Sequence, residues 1–197
     1  SQSERIIWLC EELMVPYQIV RYARHPETQL APPEFRRLHP AGTAPVISDG
    51  ATVIAESNAI VEYLLAKHGR GALAVANGQP DYANYLFWLH YANGSVLPAM
   101  ITGFVASFAG DSIPAALAGT FMERVERAYN MIEQRLNQTA YLGGDAFTAA
   151  DIMDVFALTT MQSFTPTDLM RFPAIGAYLA KVQSRPAYRR MRTAIDQ

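Results

Sequence analysis

The hydrophobic period of this chain changes once, and that change limits its architecture more than any other feature. Up to about His68 short apolar stretches of differing period follow one another, whereas beyond Pro80 almost every apolar pattern repeats at helical spacing. Between them lies Gly69-Arg70-Gly71-Ala72-Leu73-Ala74-Val75-Ala76-Asn77-Gly78-Gln79-Pro80, small and glycine-rich, which reads as a linker. The expectation is two domains in 197 residues, α/β over 1–68 and all-α over 80–197, joined by 69–79.

Local signals fill in the elements. Ser1 followed three residues later by Glu4 has the capping-box pattern, and Ile6, Leu9, Cys10 and Leu13 continue at helical spacing until Pro16. Tyr17-Gln18-Ile19-Val20 alternates as a short strand would, and Pro32 to Leu38 suits a short helix. Ala44 to Ser48, Asp49-Gly50 and Ala51 to Ala55 read as strand, tight turn and strand. Glu56-Ser57 then leads a helix that stops at His68-Gly69. Beyond the linker, helices are expected from Asp81 to about Ser107, bent near Gly94 and Pro98, and from Ala115 to Leu136. Three more should begin at Thr148, Phe172-Pro173 and Arg185-Pro186, the first capped by Thr148 with Asp151.

Composition excludes several classes. Half the residues are hydrophobic and only 17% are charged, so the chain can bury a large core. A net charge of −2 with no dense basic run argues against nucleic acid or an anionic membrane as partner. The apolar run Val96 to Ala109 is shorter than a spanning helix and carries Pro98 and Gly103, so a kinked buried helix is expected. One cysteine, Cys10, permits no internal disulfide, which makes a reducing, cytoplasmic location the expectation. Its place on the apolar side of the first helix suits a small hydrophobe. His68 and His90 have no partner spacing that suggests a metal, and none is expected.

The order of motifs carries a further reading. Ser1-x-Ser3-x-Arg5, His39-Pro40-Ala41-Gly42-Thr43-Ala44-Pro45-Val46, Asp49-Gly50, Glu56-Ser57-x-Ala59-Ile60, Tyr141-Leu142-Gly143-Gly144, Phe147-Thr148-x-Ala150-Asp151 and Arg185-Pro186-Ala187-Tyr188 follow one another along nearly the whole chain. In that order they resemble the cytosolic glutathione S-transferase family, of the serine type. The resemblance implies a thioredoxin-like α/β domain followed by an all-α helical bundle, the glutathione transferase fold, and subunits paired as a homodimer. It also implies a first strand ahead of Ser1, on the order of a dozen residues with its flanks, that this sequence does not include.

The chemistry implied is attack of the glutathione thiolate on a small hydrophobic electrophile, a detoxification reaction. A free thiol with a pKa near 8.5 is mostly protonated at neutral pH, so a hydroxyl at a helix N-terminus is needed to stabilise the anion. The resemblance assigns this hydroxyl to Ser1, with Ser3 as the alternative. It assigns the backbone of Ala44, before a cis Pro45, to pairing with the cysteinyl part of glutathione. Glu56 and Ser57 would hold the ammonium and carboxylate of the γ-glutamyl end. Thr43 stands where relatives often carry a longer Gln or Lys, and His39 could compensate for its short reach. Thr148 and Asp151 are structural in this reading. Tyr82, Tyr85, Trp88, Tyr91, Phe104 and Phe108 form an aromatic stripe, part core and part electrophile pocket. Two alternatives stay open: another glutathione-dependent enzyme on the same fold, such as an isomerase, a peroxidase or an ether-cleaving enzyme, and a non-catalytic glutathione-binding or interaction module.

Overall fold

The structure is a computed structural model, described here for residues 1–28, 30–109 and 112–196. Two compact units are present, one made of Ser1–Ala72 with Pro186–Gln197, the other of Leu73–Arg185.

In the first unit, α1 (Ser3–Leu13) ends at Met14, whose φ of 54° closes the helix in the left-handed conformation two residues ahead of Pro16. α2 (Pro33–Arg36) is one turn with proline at its start. β1 (Val46–Asp49) and β2 (Thr52–Ala55) pair antiparallel, with Val46 opposite Ala55 and Asp49 opposite Thr52. The two-residue turn is therefore Gly50-Ala51, one position later than Asp49-Gly50, because Gly50 takes the positive φ of 61° that a tight hairpin requires. α3 (Ser57–His68) follows directly and stops at Gly69 as expected. The last helix, α9 (Pro186–Asp196), packs on α1 in this unit, whereas sequence order groups it with the helical region. Leu9 and Trp8 of α1, Ile60, Val61 and Leu64 of α3, and Ala187 and Met191 of α9 form the core. Trp8 meets Tyr188 edge to face at 5.0 Å, and Arg190 donates to Glu11 Oε2 at 2.5 Å. Burial of each large apolar side chain contributes roughly 1.5–3 kcal/mol.

Two local expectations fail in this unit. The capping box at Ser1 does not form; Gln2 is the N-cap without a side-chain bond, and Ser1 Oγ instead accepts from Ser3 N at 3.4 Å. Tyr17 to Val20 is not a strand either, since alternation makes a strand only where a ladder partner exists, and none lies alongside among the described residues.

The second unit is helical: α4 (Tyr82–Tyr91), α5 (Leu97–Ala109), α6 (Ala115–Leu136), α7 (Ala149–Leu158) and α8 (Pro173–Gln183). A π turn at Ala92–Val96, containing Gly94, joins α4 to α5. The helix is thus continuous over Tyr82–Ala109, and its 28 residues are long and apolar enough to reach across a membrane by length and composition alone. Its length therefore gives no ground against a span; its buried residues, among them Trp88, Leu89, Val96 and Met100, belong to a protein core. α7 is buried on every side, which marks it as the central helix of the unit. The Thr148–Asp151 capping box is present as read from the sequence. Glu133 of α6 caps α8 across the fold, accepting from Ala174 N and Ile175 N at 2.9 Å each.

Candidate functional site

Hairpin register brings the first group of candidate residues together. Val46 lies opposite Ala55, so Pro45 and Glu56, the residues just outside that pair, stand at the same end of the hairpin. The Ala44–Pro45 bond is cis, and Pro45 is buried while Ala44 is half-buried. Among the described residues neither the N–H nor the C=O of Ala44 has a backbone partner, as an edge that accepts an added strand requires. Glu56 is exposed at the start of α3 with φ 73° and ψ 114°, a conformation that a non-glycine residue adopts at a cost of about 1–3 kcal/mol. Such strain concentrates where a side chain must be aimed at a ligand.

Ser57, the first residue of α3, is only 1% exposed. Its hydroxyl turns inward and donates to Gln2 Oε1 at 3.2 Å while accepting from Arg5 Nη1 at 3.4 Å. Arg5 Nη1 also donates to Gln2 Oε1 at 3.2 Å. The first turns of α1 and α3 therefore meet through a polar seam of Gln2, Arg5 and Ser57. Sequence reading missed the seam: 52 residues separate Arg5 from Ser57, and no local pattern links residues so far apart. An available signal was Arg5, a charged residue next to the apolar positions Ile6, Trp8 and Leu9 that α1 buries.

Ser1 is exposed ahead of α1, with its Oγ 3.3 Å from Ser3 Oγ, so both candidate hydroxyls lie at the same helix N-terminus. His39 accepts from Ala41 N through Nδ1 at 3.2 Å and its C=O accepts from Gly42 N at 3.0 Å, so it builds the turn that leads to Thr43, which is exposed. Cys10 is buried, and burial pushes its thiol up to about 11, which removes it as a nucleophile at neutral pH. His68 is not alone: its Nε2 lies 3.0 Å from Asp49 Oδ2.

The aromatic stripe divides within the second unit. Tyr85 and Trp88 are core, while Phe108 is 75% exposed and joins Phe104 edge to face at 4.8 Å. Ile101 and Val105 extend this exposed apolar face of α5. A shallow hollow of about 410 Å³ lies along α6 between Glu126, Arg127, Asn130 and Met131, and none of the candidate residues lines it.

Comparison with known proteins gives the family. The model of the glutathione S-transferase N-terminal domain matches residues 1–67, and that of the C-terminal domain matches residues 96–186. The chain belongs to the glutathione S-transferase family. Glutathione S-transferase 3 of Schizosaccharomyces pombe is 28% identical over 96% of this chain and 82% of its own length. A glutathione S-transferase from Actinobacillus pleuropneumoniae, solved by crystallography, superposes with a TM-score of 0.90 at 29% identity, covering 100% of this chain and 89% of that one. The disulfide-bond oxidoreductase YfcG of Escherichia coli is 27% identical over 94% of this chain and 87% of its own length. As in other glutathione S-transferases, the fold joins a small antiparallel sheet with flanking helices to a helical domain, and the chain is a glutathione transferase by family.

Proposed function

We propose that this chain conjugates the thiolate of glutathione to small hydrophobic electrophiles. The observation that carries the reading is the common hairpin end, where cis Pro45 and the strained Glu56 at the start of α3 stand together beside the polar seam to α1. In this reading the free backbone of Ala44 pairs with the cysteinyl part of the tripeptide. Glu56 meets the γ-glutamyl ammonium, and the first turn of α3, beginning at Ser57, meets its carboxylate with N–H groups and positive dipole potential. Thr43 and His39 flank this segment.

Ser1 donates its hydroxyl to the sulfur anion, with Ser3 as the neighbouring alternative. The thiol proton leaves to solvent, the sulfur lone pair forms the new S–C bond, and the leaving group departs with the electrons of its own bond. A hydrogen bond to an anion is worth roughly 1.5–3 kcal/mol, so Ser1→Ala should slow conjugation about ten- to a hundred-fold. We assign the pocket for the electrophile to the helical unit. We further read the chain as one subunit of a cytoplasmic homodimer, in keeping with its low charge.

The test is retention on immobilised glutathione together with turnover of an activated aryl halide, in the wild-type chain, Ser1→Ala and Glu56→Ala. Retention and turnover in the wild type, with slower turnover in Ser1→Ala and weaker retention in Glu56→Ala, support the reading; absence of binding overturns it. A second reading follows from the similarity to the Escherichia coli oxidoreductase: reduction of disulfides at the expense of glutathione. Turnover of a mixed disulfide without any conjugation of the aryl halide would favour it.

A further inference from the structure

The tripeptide Ala-Asn-Gly occurs twice, as Ala76-Asn77-Gly78 between α3 and α4 and as Ala92-Asn93-Gly94 in the π turn. Both copies carry the same latent chemistry. The peptide nitrogen that follows an asparagine can attack the side-chain amide carbon, and glycine has no Cβ to hinder the approach. Space is open where a Cβ would stand on Gly78 and on Gly94, so access does not separate the two copies. The backbone does. Closing the ring brings the following nitrogen against the side chain, which turns the asparagine away from helical dihedral angles.

Asn93 belongs to the continuous helix Tyr82–Ala109, between Ala92 and Val96, both of which are buried. Rotation there interrupts the helical ladder and lifts packed side chains from the core. Asn77 and Gly78 are exposed and lie in no helix or strand. They are the central residues of a β-turn closed by Gln79 N, which donates to the C=O of Ala76 at 3.1 Å, with Gly78 at φ 89°. Among the described residues Gly78 N donates to no backbone acceptor, so rotation at Asn77 gives up one exposed turn bond.

We propose that Asn77 is a site of spontaneous deamidation in the folded protein and that the fold protects Asn93 from the same reaction. Gly78 N bonds to Asn77 Cγ, the Cγ–Nδ2 bond breaks, and the amide nitrogen leaves as ammonia with the proton that Gly78 N gives up. Water then opens the cyclic imide. Hydrolysis of its bond to Cγ leaves aspartate; hydrolysis of its bond to the main-chain carbonyl leaves isoaspartate, in which the chain runs through Cγ and is one carbon longer. Either product adds one negative charge to a chain whose net charge is −2. The change falls between Leu73, whose C=O accepts from Ala149 N at 2.8 Å, and Gln79, whose C=O accepts from Tyr82 N at 3.1 Å where α4 begins. Isoaspartate lengthens the path from Ala76 to Gln79, so the turn bond is lost with it.

The test incubates the full chain in mildly alkaline buffer, folded and, in parallel, unfolded in urea. Electron-transfer fragmentation of the digested chain then follows each asparagine and tells aspartate from isoaspartate. In the folded chain Asn77 is expected to convert at least about tenfold faster than Asn93, because the helix must open locally before Asn93 can react. In urea the two should convert within about twofold of each other, since their local sequences match and the fold no longer intervenes. Asn77→Gln, whose ring would need one more atom, should form no acid at that position over the same period. Equal conversion of Asn77 and Asn93 in the folded chain overturns the proposal, as does a folded chain that keeps Asn77 intact while the unfolded chain converts it. A preference for Asn77 that persists unchanged in urea also overturns it, because sequence rather than fold would then set the order.

Discussion

At the scale of single residues, Asp151 of the second unit is a densely bonded polar anchor. Asp151 is buried in the second unit and accepts from Leu142 N at 2.9 Å, Thr148 N at 2.8 Å, Thr148 Oγ1 at 3.2 Å and Tyr178 OH at 2.9 Å. It joins three stretches of chain, where an ordinary cap joins one. Asp151→Ala leaves two buried N–H groups and a buried phenol without their acceptor, and should lower stability by roughly 3–5 kcal/mol, against about 1 kcal/mol for loss of a simple cap. Urea unfolding of the wild type and variant measures the difference. The Thr148–Asp151 pair was legible because a capping box is a local pattern with its two residues three positions apart, and Glu56-Ser57 was legible as the start of a helix. Tyr178 was not, since it lies 27 residues from Asp151 and only packing brings it there. Gln2 and Arg5 were hidden likewise, as polar residues whose partners are chosen by tertiary structure.

Among the elements, the hairpin and α3 are tied at both ends. At one end Glu56 continues directly from β2 into the helix. At the other, Asp49 beside the turn accepts from Lys67 Nζ at 2.8 Å, from His68 Nε2 at 3.0 Å and from Tyr63 OH at 3.2 Å, all on α3. The hydrogen bond from Lys67 first, and then that from His68, hold the Asp49 carboxyl down at about 2. The folded chain thus binds fewer protons at this position than the unfolded chain between that value and the ordinary Asp value near 3.9. This contact stabilises the fold fully above about pH 5 and loses its contribution as pH falls toward 2. Asp49→Asn should flatten the acid limb of a plot of melting temperature against pH, and an unchanged limb would assign acid sensitivity to other carboxylates. The hairpin itself could be read from Asp-Gly flanked by apolar runs. Its register could not be read, because the positive φ falls on Gly50 and only the backbone decides whether that glycine is first or second in the turn. Tyr17 to Val20 carries the same alternation as β1 and has no ladder partner among the described residues, so the period of a segment reports its potential and its neighbours report the outcome.

For the molecule as a whole, sequence reading placed the change from mixed to helical character but gave no sign that the chain returns. α9 comes back to α1, where Arg190 holds Glu11 and Arg21 Nη2 donates to the C=O of Ala194 at 2.6 Å. A terminal basic amphipathic helix names no partner, so its destination had to come from the structure. Removal of residues 186–197 should expose Trp8 and Leu9, and amides of α1 should then exchange faster with solvent deuterium while those of α7 keep their protection. Equal protection of α1 with and without the segment would mean that α9 adds little to the first unit.

That return also sets an order of events during synthesis. The first unit is written in two pieces, Ser1–Ala72 and Pro186–Gln197, with the whole of the second unit translated between them. At about 5–20 residues per second, the nascent chain waits on the order of ten seconds between release of its opening segment and arrival of α9. All the residues of the helical unit have been added to the chain before α9 is made. The unit that bears the candidate glutathione-binding residues is therefore completed last, and nascent chains cut short before α9 should carry a finished helical unit beside an unfinished ligand-binding one.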